Sequence, residues 1–125
     1  MDLLERHLQR LRDQGHQISF HPEPGWKGVV VVHDHPIPQG YTLATSSILI
    51  RIPLNYPSGS PDMFWTDLDL LLAGGGIPAN ADYLESILGR NWRRFSWHPN
   101  GGWEPGRSDL GTYLGFIDSR LEQRR

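Results

Sequence analysis

The sequence predicts an α+β domain in which a helix, a run of antiparallel strands and a second helix follow one another. Three observations carry this expectation. Leu4, Leu8 and Leu11 recur at helical spacing near the start. Ile48, Ile50 and Ile52 alternate with Leu49 and Arg51, which is the period of a strand. Near the end, Leu110, Leu114, Ile117 and Leu121 return to spacings of four, three and four. In a chain of 125 residues a second core would leave each half near the size at which cores become marginal, so residues 1–125 are read as one domain.

Each element follows from local chemistry. Asp2 caps the first helix and Glu5 stands at its third position, the arrangement of a capping box; Gly15 ends it. Ile18 and Phe20, then Gly28 to Val32, read as two adjacent strands around the break HPEPGWKG. Ser47 to Ile52 is the clearest strand. A fourth is expected at Met63 to Thr66, between the turn-rich NYPSGSP and a Leu-rich stretch closing in AGGG. Asn80 or Asp82 is expected to cap a short helix through Leu88 with Gly89 as its stop, and Trp92 to Trp97 reads as extended. Ser108 is the expected N-cap of the last helix, with Tyr113 on its apolar face.

Composition narrows the function. Twelve basic against fourteen acidic residues give a net charge of -2, so no broad electrostatic footprint marks a nucleic-acid or anionic-membrane partner. No stretch reaches the roughly 18 apolar residues of a membrane span, and MDLLERHLQR lacks a signal-peptide pattern, so the expected location is cytoplasmic. The absence of cysteine removes disulfides, thiolate metal sites and thiol nucleophiles together. No cofactor is expected: Ala73 to Gly76 lacks the spacing and the lysine of a phosphate-binding loop and reads as a turn.

Histidines supply the remaining candidates. On a regular strand His33 and His35 share a face and offer two imidazoles to a metal, but no third ligand stands at a suitable spacing. The preferred reading is a polar strand end. His98, in FSWHPNGGWEPG, is a candidate general base whose partner the sequence does not show; a structural histidine beside Trp97 or Trp103 is the alternative. Arg90, Arg93 and Arg94 flank Trp92 and suit either an acidic partner or solvation of an extended segment.

The stretch IRIPLNYPSGSPDMFWTDLDL resembles the signature of ubiquitin-conjugating enzymes, the E2 or UBC-like fold. A strand leaves through Pro53, turns at Tyr56-Pro57, reaches Pro61 and enters the next strand at Trp65-Thr66. The physics agrees: prolines cannot donate to a sheet ladder, so they end one strand and stiffen the crossover, while the tyrosine ring packs beneath it. The segment from Trp103 is similar to the Trp-x-Pro stretch that leads from the E2 active site into a helix. PIPQGYTLATSSILIRIP, PDMFW and RNWRRFSWH together resemble a bacterial branch, prokaryotic E2 family E. The resemblance implies a helix, a four-stranded antiparallel meander and a C-terminal helix. It also implies partners: a ubiquitin-like protein, an E1-like or active E2 protein, and a JAB-type peptidase in the same pathway.

One departure decides the expected activity. The E2 pattern carries His-Pro-Asn, then a catalytic cysteine, then Trp-x-Pro; here only Gly101 and Gly102 separate Asn100 from Trp103. A thioester needs a thiolate, and the chain has none. The expectation is a catalytically inactive E2-like protein that docks partners at Arg93, Arg94, Trp97, His98, Asn100 and Trp103. The rival expectations are an oxyester-forming conjugating enzyme with Ser108 as nucleophile and His98 as base, and a metal-binding protein using His33 and His35.

Overall fold

A computed structural model describes residues 2–99 and 101–125. The first helix, α1 (Leu3–Asp13), begins where Asp2 accepts a hydrogen bond from the Glu5 N–H at 2.8 Å. It buries Leu4, His7, Leu8 and Leu11, so the leucine stripe is the face it turns inward. Strands β1 (Gln17–His21), β2 (Gly28–Pro36), β3 (Thr45–Ile52) and β4 (Phe64–Thr66) then pair antiparallel in sequence order. This is the expected meander.

The sheet does not stop there. Strands β5 (Tyr83–Ile87) and β6 (Arg90–Phe95) form a hairpin that joins through β6, giving the order β1-β2-β3-β4-β6-β5. The short helix expected from Asn80 or Asp82 through Leu88 is therefore corrected to a strand, and the meander of four becomes a sheet of six. The reason is local. Tyr83, Glu85 and Ile87 lie opposite Arg94, Trp92 and Arg90, a period of two. Leu88 and Gly89 have φ of 54° and 76°, the mirror-image turn that fits a two-residue hairpin loop and does not terminate a helix.

The two faces of the sheet bury different sets. Val30, Val32, Ile48, Ile50, Ile52, Phe64 and Phe95 face α1 and the last helix, α2 (Leu110–Glu122), which adds Leu110, Tyr113, Leu114, Ile117 and Leu121. The opposite face gathers Val29, Val31, Leu49, Trp65, Ile87 and Trp92. Arg51 closes over that second cluster. Its guanidinium lies 5.1 Å from the Trp65 ring and 5.4 Å from Trp26, and donates to Glu23 and Glu85 at 2.8 and 3.0 Å. Glu85 also accepts from Trp65 Nε1 at 3.1 Å.

Two sequence expectations are corrected at element ends. Asp109, not Ser108, caps α2: it accepts from the Thr112 N–H at 2.9 Å while its own N–H donates to Thr112 Oγ1 at 3.1 Å. Ser108 Oγ instead accepts from the Glu104 N–H at 2.8 Å and closes the turn before the helix. In β2 the register slips by one residue between Val32 and His35, and Asp34 has φ 50°. That bulge destroys the alternation on which a shared His33/His35 face depends. His33 stays on the outer side beside Ser19 (Nε2 to Oγ 2.9 Å), while His35 turns inward to Asp118 on α2 (Nε2 to Oδ1 2.6 Å).

Candidate functional site

The crossover after β3 supports the site. Pro53 ends β3 and its carbonyl accepts from the Tyr56 N–H at 3.0 Å. The Tyr56-Pro57 bond is cis. The Tyr56 ring is buried and its hydroxyl shares a 2.6 Å hydrogen bond with His7 Nδ1 on α1. Burial pushes the Tyr56 hydroxyl far above its usual range and lowers the His7 imidazole below its own, so both are neutral near pH 7. Pro61, Trp65 and Thr66 are buried, and Trp65 and Thr66 belong to β4. The six signature residues therefore act as one unit: a stiff crossover pinned by α1 below and feeding β4 beyond.

The second segment comes from the end of β6. Phe64 pairs with Phe95 and stacks on it at 4.6 Å, which carries the chain after Phe95 alongside the chain before Phe64. His98 Nδ1 meets Asp62 Oδ1 there. Trp97 is half-buried and forms a T-shaped pair with Phe64 at 6.1 Å between ring centroids. Trp103 is half-buried too; its Nε1 donates to the Pro57 carbonyl at 2.9 Å and its ring lies 5.8 Å from Tyr56. Beneath them Tyr113 donates from α2 to the Met63 carbonyl at 2.7 Å. Gly102, at φ 88°, passes so close to Phe116 that a Cβ would lie 3.2 Å from its ring. Gly102 is thus fitted to a tight passage, whereas Gly101 is required only by its positive φ of 82°.

An open depression of about 370 Å3 results, lined by Ser60, Pro61, Asp62, His98, Pro99 and Trp103. His98 and Asp62 stand at its surface, with side chains 63% and 54% exposed. The pairing orients the imidazole and leaves Nε2 uncommitted to any protein partner among the described residues. Chemically this is a carboxylate-oriented histidine beside a tryptophan, with no thiol in the chain.

The other expected residues scatter. Arg93 is corrected from a surface anchor to a buried tie: it donates to the Leu68 and Ala81 carbonyls at 3.0 and 2.7 Å. Arg94 lies 4.1 Å over the Tyr83 ring and donates to Ser96 Oγ, so it belongs to the β5–β6 hairpin. Ser108 is buried and no hydrogen bond joins it to His98 among the described residues. Asn100 lies outside the described residues. Among the described residues no group of three or more His, Cys, Asp or Glu is arranged to hold a metal, and no helix is long and apolar enough to cross a membrane.

Asp62 and His7 are the partners that the sequence reading misses. Nothing local marks either residue. Once β4 and β6 are known to pair, however, the 64–95 register extrapolates to place 61 and 62 opposite 98 and 97, which is enough to find Asp62.

An antiparallel sheet between an N-terminal and a C-terminal helix, with a Tyr-Pro crossover beside a His-Pro loop, is an α+β arrangement consistent with the UBC-like fold and defines an E2-like protein. The family model described as prokaryotic E2 family E matches residues 3–124, and the chain belongs to that family. No curated protein and no solved structure matches it. Membership connects the chain with bacterial ubiquitin-like conjugation.

Proposed function

We propose that this is a catalytically inactive E2-like protein that binds a ubiquitin-like protein, or its E1-like or E2 partner, and positions it for conjugation. The observation that carries the reading is the absence of any cysteine from a chain matched to an E2 family over residues 3–124. Thioester transfer requires a thiolate leaving group, and no side chain here supplies one. The docking surface is the depression lined by Asp62, His98 and Trp103, with Trp97 next in sequence to His98; Arg93, buried on the Leu68 and Ala81 carbonyls, is left out of it. Half-buried aromatics beside a polar pair suit an interface anchor. A JAB-type peptidase completes the set of pathway partners.

Titration of the purified protein against a bacterial ubiquitin-like protein and E1-like and E2 proteins of such a pathway tests this. Binding by at least one, weakened about tenfold or more by Trp103→Ala, is the expected result. Binding by none removes the reading.

The His98–Asp62 pair favours a second reading, an oxyester-forming enzyme in which His98 activates Ser108. Against it, Ser108 is buried and its Oγ already accepts from the Glu104 N–H. Incubation with the E1-like protein, ATP and the ubiquitin-like protein separates the two. A base-labile, thiol-resistant adduct lost in Ser108→Ala establishes the enzyme; no adduct disposes of it.

A further inference from the structure

The β5–β6 hairpin carries three independent features that the E2-like signature does not use. The first is an open edge. β5 is the last strand of the sheet, and among the described residues only β6 pairs with it. The two-residue turn makes Ile87 and Arg90 a hydrogen-bonded pair, and strict alternation makes Glu85 with Trp92 and Tyr83 with Arg94 the next two. The backbone N–H and C=O of Leu84 and Ser86 therefore point away from β6, toward the free edge.

The second feature is apolar exposure. Among the described residues the large apolar side chains that stand in solvent are Ile77, Tyr83, Leu84 and Leu88 in this one stretch, with only Leu3 and Leu54 elsewhere. Edge strands that stay unpaired are normally blunted by charge, proline or a bulge; β5 has no lysine, proline or bulge, and its one charge, Glu85, is turned to Arg51 and Trp65 on the sheet face. The third is backbone strain. Leu88 occupies a left-handed turn position where Asn, Asp or Gly is preferred, yet its side chain is 43% exposed and gains no burial there. Leu88 thus adds an apolar side chain to the margin of the open edge without any return within the chain.

We infer that β5 is a strand-addition site, which takes an extended segment of another protein bearing alternate apolar residues and an uncharged or basic residue opposite Glu85. The edge groups of Leu84 and Ser86 supply the ladder, and the exposed Leu84 and Leu88 supply the apolar contacts. A second copy of this chain is disfavoured by charge. The two-fold register that pairs Leu84 with Ser86 sets Glu85 directly against Glu85 in a non-hydrogen-bonded pair, where side chains are closest, and in each copy the single Arg51 offsets only one of the two carboxylates Glu23 and Glu85. The inference does not depend on the docking surface at His98, which lies on a different segment.

Capped octapeptides of alternating valine and threonine, with one threonine replaced by lysine or by glutamate, provide the probe for the full chain. We expect the lysine peptide to bind at least about fivefold more tightly than the glutamate peptide. Ser86→Pro removes an edge donor without touching the β6 ladder, and should weaken binding about tenfold or more. Leu84→Lys, which keeps the backbone, should do the same if Ser86→Pro proves unfolded by circular dichroism. Absence of binding at millimolar peptide overturns the inference, as does unchanged binding in both variants. Concentration-dependent dimerisation of the wild type, abolished by Leu84→Lys, overturns it in favour of a second copy.

Discussion

His7 Nδ1 and the Tyr56 hydroxyl, 49 positions apart in sequence, meet at 2.6 Å inside the protein and tie α1 to the Tyr-Pro crossover. Both groups are buried, so neither has water to fall back on. Tyr56→Phe keeps the ring and strands the imidazole, and should cost about 1–3 kcal/mol in denaturant unfolding. A double-mutant cycle with His7→Leu should return a coupling of roughly 0.5–2 kcal/mol. Additive effects would show that the bond contributes nothing.

The same pair predicts a pH dependence. Burial is the chief cause that lowers His7 below its ordinary value of 6.5, so between the folded value and 6.5 the unfolded chain binds more protons. Stability from His7 is complete above pH 6.5 and is lost as pH falls through that window. Denaturation midpoints measured from pH 7.5 to 5 should fall less steeply in His7→Gln than in the wild type. Parallel slopes would place the titration elsewhere.

At the start of α2 the two neighbouring cap candidates should differ. Burial opposes ionisation of Asp109, but the Thr112 N–H and Arg10 outweigh it and hold the carboxyl below its usual value. Asp109→Ala should cost about 1–2 kcal/mol through the cap, with the exposed Arg10 partner adding little. The Asp109 share of stability, present above its unfolded value near 3.8, should fade as pH drops below it. Ser108→Ala gives up one hydrogen bond and should cost about 0.5–1.5 kcal/mol.

Leu88→Asn should stabilise the protein. Asn tolerates the left-handed conformation that Leu88 adopts at φ 54°, and an exposed side chain forfeits little burial. An increase of about 0.5–1 kcal/mol in thermal or chemical unfolding is expected. A loss would mean that the leucine packs against the hairpin.

At the depression, His98→Ala and Asp62→Ala should each leave stability within about 0.5 kcal/mol of wild type, because both side chains are more than half exposed. Their effect on partner binding then reports the surface itself. A large destabilisation would make the pair a structural clasp.

What could be read in the sequence follows from periodicity. The α1 and α2 stripes, the β3 alternation and the Tyr-Pro crossover each repeat a local rule several times, and each stands in the structure as expected. β5 was not legible: YLESI has two apolar residues followed by two polar ones, Gly89 reads as a helix stop, and only the pairing of Tyr83 to Ile87 with β6 makes it a strand. Ser108 and Asp109 offer equal capping chemistry one residue apart, and the choice rests on the Glu104 N–H that Ser108 takes. The burial of Arg93 was not legible at all: its acceptors are the carbonyls of Leu68 and Ala81, and a backbone carbonyl has no signature in a sequence.

Asp34 acts as a phase shifter in β2. Before it the even-numbered residues Val30 and Val32 face the helices; after it the odd-numbered His35 does, opposite Ser46. A strand of nine residues thus counts as eight, with one position looped out. Deleting Asp34 would restore unbroken parity and still deliver His35 to Asp118, so the insertion alters the shape of the sheet margin while leaving the pattern of inward and outward side chains downstream of it intact.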